Sequence, residues 1–384
     1  MAVIRTTNNP AMLTWAREEV GYTLGQAAEA ISVSPETLAA AEAGEHQLTL
    51  KQLRTAAEKY ECPFGYFYLS TPPYKKSFEP IPDYRIEPGV IGKQHPRLNL
   101  EIKRARDRRS TYLELAQSLD IDAPIFQRRN DISEPTIGSR IRERLGVVDA
   151  ELSSLDFDNA YSYWKTKIES DGVLVYESQY IPDESGVIGA ALYYPVCPVI
   201  LIKRGPTYNA RKLFTMLHEY AHLLLGISAI NDASAQVIRE PSSDRASVEA
   251  TCNQLAANIL IPPEKINPRD YSTLPPLSQM ERLAHTFKVT YTTAAVCLRQ
   301  MGLINQDEFS ELLSIRRQAH ELESSKQKKD VKIPRETLMR LDMGRPMFDV
   351  VLRAYSTGLL DIFDASKVLS LRIHKIDKLI SGAR

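Results

Sequence analysis

Cysteine is scarce in this chain, net charge is absent and no long apolar run occurs, and each absence excludes a class of protein. The four cysteines among 384 residues are scattered and form no C-x-x-C pair, so neither a disulfide framework nor a cysteine-rich metal site is expected. Lys plus Arg equals Asp plus Glu at 48 each, so no overall field favours nucleic acid or a membrane surface. No apolar run approaches the roughly 18 residues of a membrane-spanning helix, and the first residues lack a basic-then-apolar signal. The sequence therefore predicts a cytoplasmic protein with reduced thiols and no membrane partner.

Histidine is also scarce, at 7 residues, yet two histidines share one short motif, H-E-Y-A-H at 218–222. On a helix, His218 and His222 lie one turn apart and can bind one Zn²⁺, with Glu219 beside them as a general base. The surrounding residues are almost wholly apolar, which predicts a buried helix, and the motif continues a polar stripe that starts at Thr215. A buried polar stripe needs partners because uncompensated charge is costly to bury. A metal ion would be such a partner, and two hydrogen-bonded core histidines are the alternative.

A catalytic zinc ion takes three protein ligands and leaves a fourth position for water, so a third ligand is needed from another helix. The segment 243–260 predicts such a helix, with Pro262 just beyond its end. On it, Glu249 and Asn253 lie one turn apart beside an apolar stripe. Glu249 would be the carboxylate ligand, and Asn253, like Thr215, would orient a ligand. The residues alone leave Glu249 equally open to being a solvated helix carboxylate.

The stretches F-T-M-L-H-E-Y-A-H-L-L-L-G and E-A-T-C-N-Q-L-A-A-N-I-L-I-P resemble the ImmA/IrrE family of bacterial zinc metallopeptidases over about residues 134–270. That family carries its third ligand as the glutamate of an E-x-x-x-N-x-(apolar)-A pattern before a proline, which gives this role to Glu249. Cys252 departs from the small residue of the pattern. Its thiol would either contact the zinc or act as a small buried hydrophobe. The resemblance implies an endopeptidase that cleaves a regulatory protein, often a repressor, in a stress, mobile-element or defence circuit.

The neighbouring segments predict a small sheet within a mostly helical protein. A helix is predicted over 157–169, followed by strands at 172–177, 188–194 and 198–203. With the histidine helix and the Glu249 helix, this order is the minimal zincin layout. One of the last two strands would pair with an extended peptide through its edge. The predicted fold is α+β and mostly helical, with an N-terminal all-α bundle, a zincin-like domain and a helical C-terminal region.

The first 70 residues predict four or five short helices of their own. The pattern W-A-R-E-E-V-G-Y-T-L-G-Q-A-A-E-A-I-S-V-S resembles an XRE-type helix-turn-helix, whose second motif helix enters the major groove. That role would fall to 35–43, which holds no Arg, Lys, Asn or Gln to contact base edges, although Gln26 and Thr37 are candidate DNA contacts. Residues 1–70 carry 5 basic and 8 acidic side chains, whereas phosphate binding favours positive charge. Both DNA binding and docking onto a protein partner therefore stay open.

Positive charge is concentrated in one segment, 97–109, which holds 6 basic and 2 acidic residues. A nucleic-acid or acidic-partner contact is one interpretation, and a solvated helix face with salt bridges is the other. The candidate contact residues are Arg104, Arg106, Arg108 and Arg109, and the same surface would include Arg140, Arg142 and Arg144.

Four parts are therefore predicted: a helix-turn-helix at 1–70, a proline-rich linker and basic helix at 71–133, a peptidase domain at 134–270 and a helical region at 271–384. The predicted function is zinc-dependent cleavage of a regulatory protein, with the N-terminal domain docking DNA or a partner. One alternative is a DNA-binding transcriptional regulator whose zinc site is structural or sensory. Another is an interaction module with a silent zinc site. A fourth protein ligand at the metal would favour these alternatives.

Overall fold

The structure is a computed structural model, and it describes residues 7–73, 95–132, 134–205, 209–232, 244–324, 340–369, 371–373 and 376. The chain forms two compact units. The first contains the described residues up to Arg104 together with Tyr180–Ser185, and the second contains the rest. None of the helices in these ranges is both long enough and apolar enough to cross a membrane.

The first unit contains the short N-terminal helices that were predicted. They are α1 (Pro10–Glu19), α2 (Leu24–Ala30), α3 (Pro35–Glu42), α4 (Leu50–Lys59) and a 3₁₀ turn at Phe64–Tyr68. Each α-helix begins at a residue whose side chain accepts a backbone N–H, namely Asn9, Thr23, Ser34 and Thr49. These caps accept hydrogen bonds from backbone N–H groups of the first helical turn, which have no acceptor within the helix. The apolar faces of all four helices meet in one small core.

Helix α5 (Pro96–Ser118) begins in the first unit and ends in the second. Leu100 belongs to the core of the N-terminal helices, and Lys103 Nζ donates a hydrogen bond of 2.6 Å to the carbonyl oxygen of Glu61. The start of α5 is therefore part of the N-terminal unit, although the sequence placed it in a linker region. The proline-rich part of that region, 74–94, lies outside the described residues.

Helices surround a sheet in the second unit. They are α6 (Ile137–Arg144), α7 (Asp149–Ser154), α8 (Phe157–Ser170), α9 (Asn209–Leu225), α10 (Asp244–Leu260), α11 (Pro276–Phe287), α12 (Tyr291–Gln300), α13 (Gln306–Ser324), α14 (Arg345–Ser356) and α15 (Ile362–Leu369). Trp164, Leu217, Leu255 and Leu283 share one core, so α8, α9, α10 and α11 pack together. The boundary predicted at residue 270 therefore does not divide the core. A mostly helical α+β fold is confirmed.

In the described part of the chain the sheet has four strands in the order β1-β3-β2-β4: β1 (Leu174–Ser178), β2 (Val187–Leu192), β3 (Val199–Lys203) and β4 (Ala229–Asp232). Only the β1–β3 pair is parallel. The sequence predicted β2 and β3 as the candidates for pairing with a peptide, and this was wrong. Both strands are interior, with a neighbouring strand hydrogen-bonded along each edge. Strand β4, which the sequence did not predict, covers β2.

One row of residues crosses the sheet beneath α9. Glu177, Ile202 and Gly189 are register partners on β1, β3 and β2, so their side-chain positions share one face. Glu177 is almost fully buried, accepts a hydrogen bond of 3.0 Å from the hydroxyl of Tyr161, and lies 3.6 Å from Nζ of Lys212 on α9. This buried ion pair attaches the first turn of α9 to the sheet.

The β1 side of the sheet is covered by residues just before α14. The carbonyl oxygen of Leu341 accepts a hydrogen bond of 2.8 Å from Nζ of Lys165, and Gly344 lies against the backbone of Val175 in β1. Among the described residues, β4 is the outer strand on the opposite side of the sheet, and its Ala229 and Ile230 are completely buried. Within the helical region predicted over 271–384, helices α11 to α15 are described, and 325–339, 370, 374–375 and 377–384 lie outside the described residues.

Candidate metal centre

Helix α9 is buried on all sides, as its apolar sequence predicts. Leu213, Met216, Leu217 and Leu224 are completely buried in the core. The polar stripe is equally inaccessible, because His218, Glu219 and His222 are 3%, 0% and 0% exposed. Three ionisable side chains at this depth require charged or hydrogen-bonding partners.

The partner carboxylate comes from α10. Helices α9 and α10 are in close contact, and α10 also packs against α6. At the α6–α10 crossing, Gly138 approaches the backbone of Asn258 so closely that a Cβ atom would collide with it. This packing fixes α10, and Glu249 on α10 directs its carboxylate toward the histidines of α9 while 17% of its side chain stays exposed. The centre is thus buried on the α9 side and accessible on the Glu249 side.

Three ligand-type atoms converge at one point. Nε2 of His218 lies 3.1 Å from Oε2 of Glu249, and Nε2 of His222 lies 3.2 Å from Oε1 of the same carboxylate. The two Nε2 atoms are 3.1 Å apart. The structure therefore brings together His218, His222 and Glu249, the three residues that the sequence nominated as ligands.

These separations fit a tetrahedral zinc site. Ligands bound at 2.0–2.2 Å to a tetrahedral ion are about 3.3–3.5 Å apart, close to the distances observed here. Two imidazole nitrogens and a carboxylate form a donor set that zinc favours. Hydrogen bonds from both histidines to Glu249 would leave two N–H donors facing each other, because the two Nε2 atoms are 3.1 Å apart, whereas a cation would satisfy all three groups at once. The geometry therefore favours a metal site over two hydrogen-bonded core histidines.

The pKa values of the three groups reflect this close arrangement. Burial alone would raise the pKa of Glu249, but hydrogen bonds from both histidines outweigh it and hold the pKa at about 2. Burial would lower the pKa of His218, but the hydrogen bond to Glu249 and the charge of Glu219 raise it. For His222, burial prevails and lowers the pKa. At neutral pH Glu249 is ionised and His222 is neutral, the forms in which both can bind a metal ion.

Glu219 lies between α9 and the sheet and is not one of the three converging residues. Its carboxylate occupies space that a side chain at position 189 would fill. A Cβ atom on Gly189 would lie 3.0 Å from Cδ of Glu219 and 2.8 Å from Cγ2 of Thr215. Gly189 is therefore the residue in β2 that lets the strand approach α9 beside Glu219.

The other nominated residues lie around the ligands. Asn253 is 3% exposed and contributes by hydrogen bonding to the raised pKa of His218, as expected of a side chain that orients a ligand. The hydroxyl of Thr215 instead donates 3.2 Å to the carbonyl oxygen of Arg211. Cys252 is fully buried and outside the converging cluster. Burial and the charge of Glu249 raise the pKa of its thiol well above the usual range, which favours a small hydrophobe over a thiolate ligand.

The arginines nominated as nucleic-acid contacts are directed at protein groups. Arg104 pairs with Glu61 and Glu101 within the first unit. Arg108 donates 3.2 Å to the carbonyl oxygen of Asp342, and Arg109 donates 2.7 Å to that of Val196 within the second. Arg106, like these three, is half-buried. The contacts favour the alternative in which the basic stretch stabilises the fold through salt bridges and hydrogen bonds.

The second group of arginines, Arg140, Arg142 and Arg144, also contacts other groups of the protein. Arg142 is 1% exposed and donates 2.8 Å to the carbonyl oxygen of Ile259 at the end of α10, so its assignment to a positive surface was wrong. Its charge stabilises the negative end of that helix. Arg144 pairs with Asp171 at 2.7 Å, and Arg140 pairs with Asp131 at 3.0 Å. Charged runs on helices that pack against other elements are thus poor guides to exposed charge.

Comparison with protein families follows the division of the molecule into two units. Residues 142–299 match the family model of the IrrE N-terminal-like domain, Peptidase_M78, and residues 13–67 match that of a helix-turn-helix, HTH_3. The chain carries a helix-turn-helix domain and an IrrE N-terminal-like domain. The resemblance seen in the sequence is thereby confirmed. No curated protein matched the chain.

The IrrE N-terminal-like domain spans α9, α10 and the sheet, and continues through α11 to α12. Its match passes residue 270, in agreement with the shared core. Sequence reasoning did not nominate Gly189, which lies against Glu219, or Arg211, which lines a cavity together with Asn253. The signal for Gly189 was a glycine inside a strand, and Arg211 precedes His218 by two helical turns.

Proposed function

We propose that the protein is a zinc-dependent endopeptidase that cleaves a regulatory protein, most simply a transcriptional repressor. The convergence of His218, His222 and Glu249 on one point, inside an IrrE N-terminal-like domain, carries this proposal. A fourth protein ligand would favour a structural or sensory zinc site. The described residues offer only three, which leaves a position for water.

The chemistry follows from where the side chains lie. His218, His222 and Glu249 would hold zinc, which when bound lowers the pKa of a coordinated water to about 7 and polarises the peptide carbonyl. Glu219 would accept the proton of the attacking water and return it to the leaving amine. Its complete burial keeps its carboxylate away from bulk water, and Gly189 leaves room for it beside the strand.

The substrate would bind as an extended strand along β4. Strand β4 is the edge of the sheet in the described part of the chain, and it neighbours β2, whose Gly189 lies against Glu219. The outer strand of a sheet can hydrogen-bond to an incoming strand, although Ala229 and Ile230 of β4 are completely buried, so a peptide would have to displace the groups that cover them. Backbone hydrogen bonds would bind peptides of many different sequences. Selectivity among substrates must therefore come from subsites that contact the substrate's side chains.

Single replacements in the full-length protein test which residues bind zinc. His218→Ala, His222→Ala and Glu249→Ala should each lose most of the zinc, which is about one ion per chain in the wild type, because two ligands rarely hold zinc. Asn253→Ala should weaken zinc affinity by about 10–100-fold. Metal content by mass spectrometry after dialysis measures both effects. His285→Ala and Cys252→Ser are the controls and should keep zinc. Stoichiometric zinc in Glu249→Ala would show that another residue is the third ligand.

A second candidate function is transcriptional regulation by DNA binding, and the helix-turn-helix match at 13–67 favours it. The charges of that domain oppose it. Helix α3, in the position of a groove-reading helix, exposes Glu36 and carries no basic residue, while the guanidinium of Arg17 is bound to Glu42 at 2.7 Å. Protein docking therefore stays the alternative role of this domain.

The full-length protein should bind duplex DNA weakly, with a shallow dependence of affinity on salt, because α3 itself carries no basic residue. Fluorescence anisotropy with duplexes from its own promoter and with a scrambled duplex measures this. Glu36→Lys should raise affinity for both duplexes if α3 faces DNA, and Lys367→Glu on α15 is the control. Tight, promoter-selective binding by the wild type, lost in Thr37→Ala, would instead establish the regulator.

A further inference from the structure

A small cavity adjoins the metal centre on the side of the first turns of α9. Its volume is about 40 Å³, enough for a small polar group. Asn253, which contacts His218, forms one wall, and Phe214, whose ring centroid lies 6.5 Å from that of His218, forms another. The cavity is therefore separated from the candidate ligands by single side chains. It is completed by Ala257 of α10 and residues at the start of α12.

The cavity contains one positive charge. Arg211 lines it and is half-buried. Among the described residues, none is seen to form an ion pair or a side-chain hydrogen bond with its guanidinium. The other cationic side chains of α9 and its surroundings differ in this respect, since Lys212 is paired with Glu177 and Arg144 with Asp171. The other described lining residues are threonines, Asn253 and apolar groups, so none of these described residues offers a carboxylate to Arg211.

A half-buried guanidinium in a neutral cavity is complementary to a carboxylate. Arg presents a planar set of donors that matches a carboxylate in two parallel hydrogen bonds, and partial burial strengthens the pair. The hydroxyls of the lining add donors: Thr292 at the rim is exposed, and Thr293, with Thr290, closes the far end. An apolar or basic side chain would leave Arg211 desolvated without a partner, which disfavours it.

We propose that this cavity is the specificity subsite of the peptidase and that Arg211 selects an Asp or Glu side chain of the substrate. The inference rests on the proposed peptidase function and names the chemistry of its substrate. Arg211 and His218 are seven residues apart on one face of α9, about 10 Å along the helix axis. An extended peptide covers about 3.3 Å per residue. The acidic residue therefore lies within about three residues of the scissile bond.

Binding and cleavage are measured separately, so that each proposal is judged on its own. Zinc-loaded Glu219→Gln protein is mixed with a library of synthetic decapeptides randomised at every position, and the bound peptides are sequenced by mass spectrometry. Asp and Glu should be enriched at one position about tenfold over the input. The enrichment should vanish with Arg211→Gln and change to Lys and Arg with Arg211→Glu. Arg353→Gln, on α14, is the control and should keep the acidic preference.

A second variant leaves Arg211 in place. Thr292→Asp puts a carboxylate at the exposed rim of the cavity, where it would pair with Arg211 and reduce the acidic enrichment without disturbing the core. The subsite proposal would be overturned if the preference for Asp and Glu persisted in both Arg211→Gln and Thr292→Asp. It would also be overturned if the protein with Arg211 and Thr292 intact selected peptides without any enrichment of Asp or Glu. If the wild type binds the selected peptides through Arg211 yet cleaves none of them, the subsite stands and the peptidase proposal fails.

Discussion

Glu219→Gln is expected to leave zinc in place and to abolish most peptide cleavage. The candidate ligands are His218, His222 and Glu249, so an amide at position 219 would remove no metal bond. The introduced amide is not basic, so the variant lacks the proton acceptor. General acid–base catalysis of this kind contributes about 10²–10⁴-fold to a rate. The value of kcat/KM for a selected peptide should fall by that factor while zinc content stays near one per chain.

The measurement pairs metal content with cleavage kinetics on the same preparation. Glu281→Gln, an exposed glutamate of α11, is the matched control and should cleave like the wild type. Cleavage within a factor of a few of the wild type would remove Glu219 from the mechanism.

Gly189→Ala should have the second largest effect, although residue 189 contacts no ligand directly. The new methyl group would lie within 3.0 Å of Cδ of Glu219 and of Cγ2 of Thr215, so β2 and α9 must separate or Glu219 must rotate. Overpacking of this kind costs about 1–3 kcal/mol of stability. A displacement of about 1 Å at a catalytic group lowers rates by about 100-fold. Zinc content should be unchanged because the ligands are on helices.

Thermal unfolding and kcat/KM together test this expectation. Gly25→Ala is the matched control, since a methyl group there meets no atom within 4 Å and the position lies in a helix. It should be neutral or stabilising by up to about 1 kcal/mol. If Gly189→Ala retained full activity, the contact between β2 and Glu219 would be unimportant for catalysis.

The convergence of the two histidines could be predicted because its signal is local. His218 and His222 are one helical turn apart in an apolar run, and that spacing alone implies a shared face. Glu249 is more distant in sequence, and the residues by themselves left its role undecided. The family resemblance assigned it a role, and the packing of α10 on α9 then brought its carboxylate within 3.1–3.2 Å of both histidines.

The features that were missed depend on pairing between distant segments. Strand β4 is four residues long, and its strand character comes from hydrogen bonds to β2 rather than from its own sequence. The sequence predicted Arg142 to be a surface residue because its helix carries several charged side chains. It is buried because the carbonyl groups at the end of α10 and the ring of Trp164, 5.2 Å away, surround its guanidinium. No sequence period encodes such contacts.

The row formed by Glu177, Ile202 and Gly189 limits how the sheet can change during evolution. A slip of β2 by one residue against β3 would bring Ile188 or Ala190 to the position of Gly189, and either side chain would collide with Glu219. An insertion within β2 would therefore disable catalysis even where the core still packed. Length variation among related chains is expected in the loops that join the strands, while the strands themselves keep their residue number.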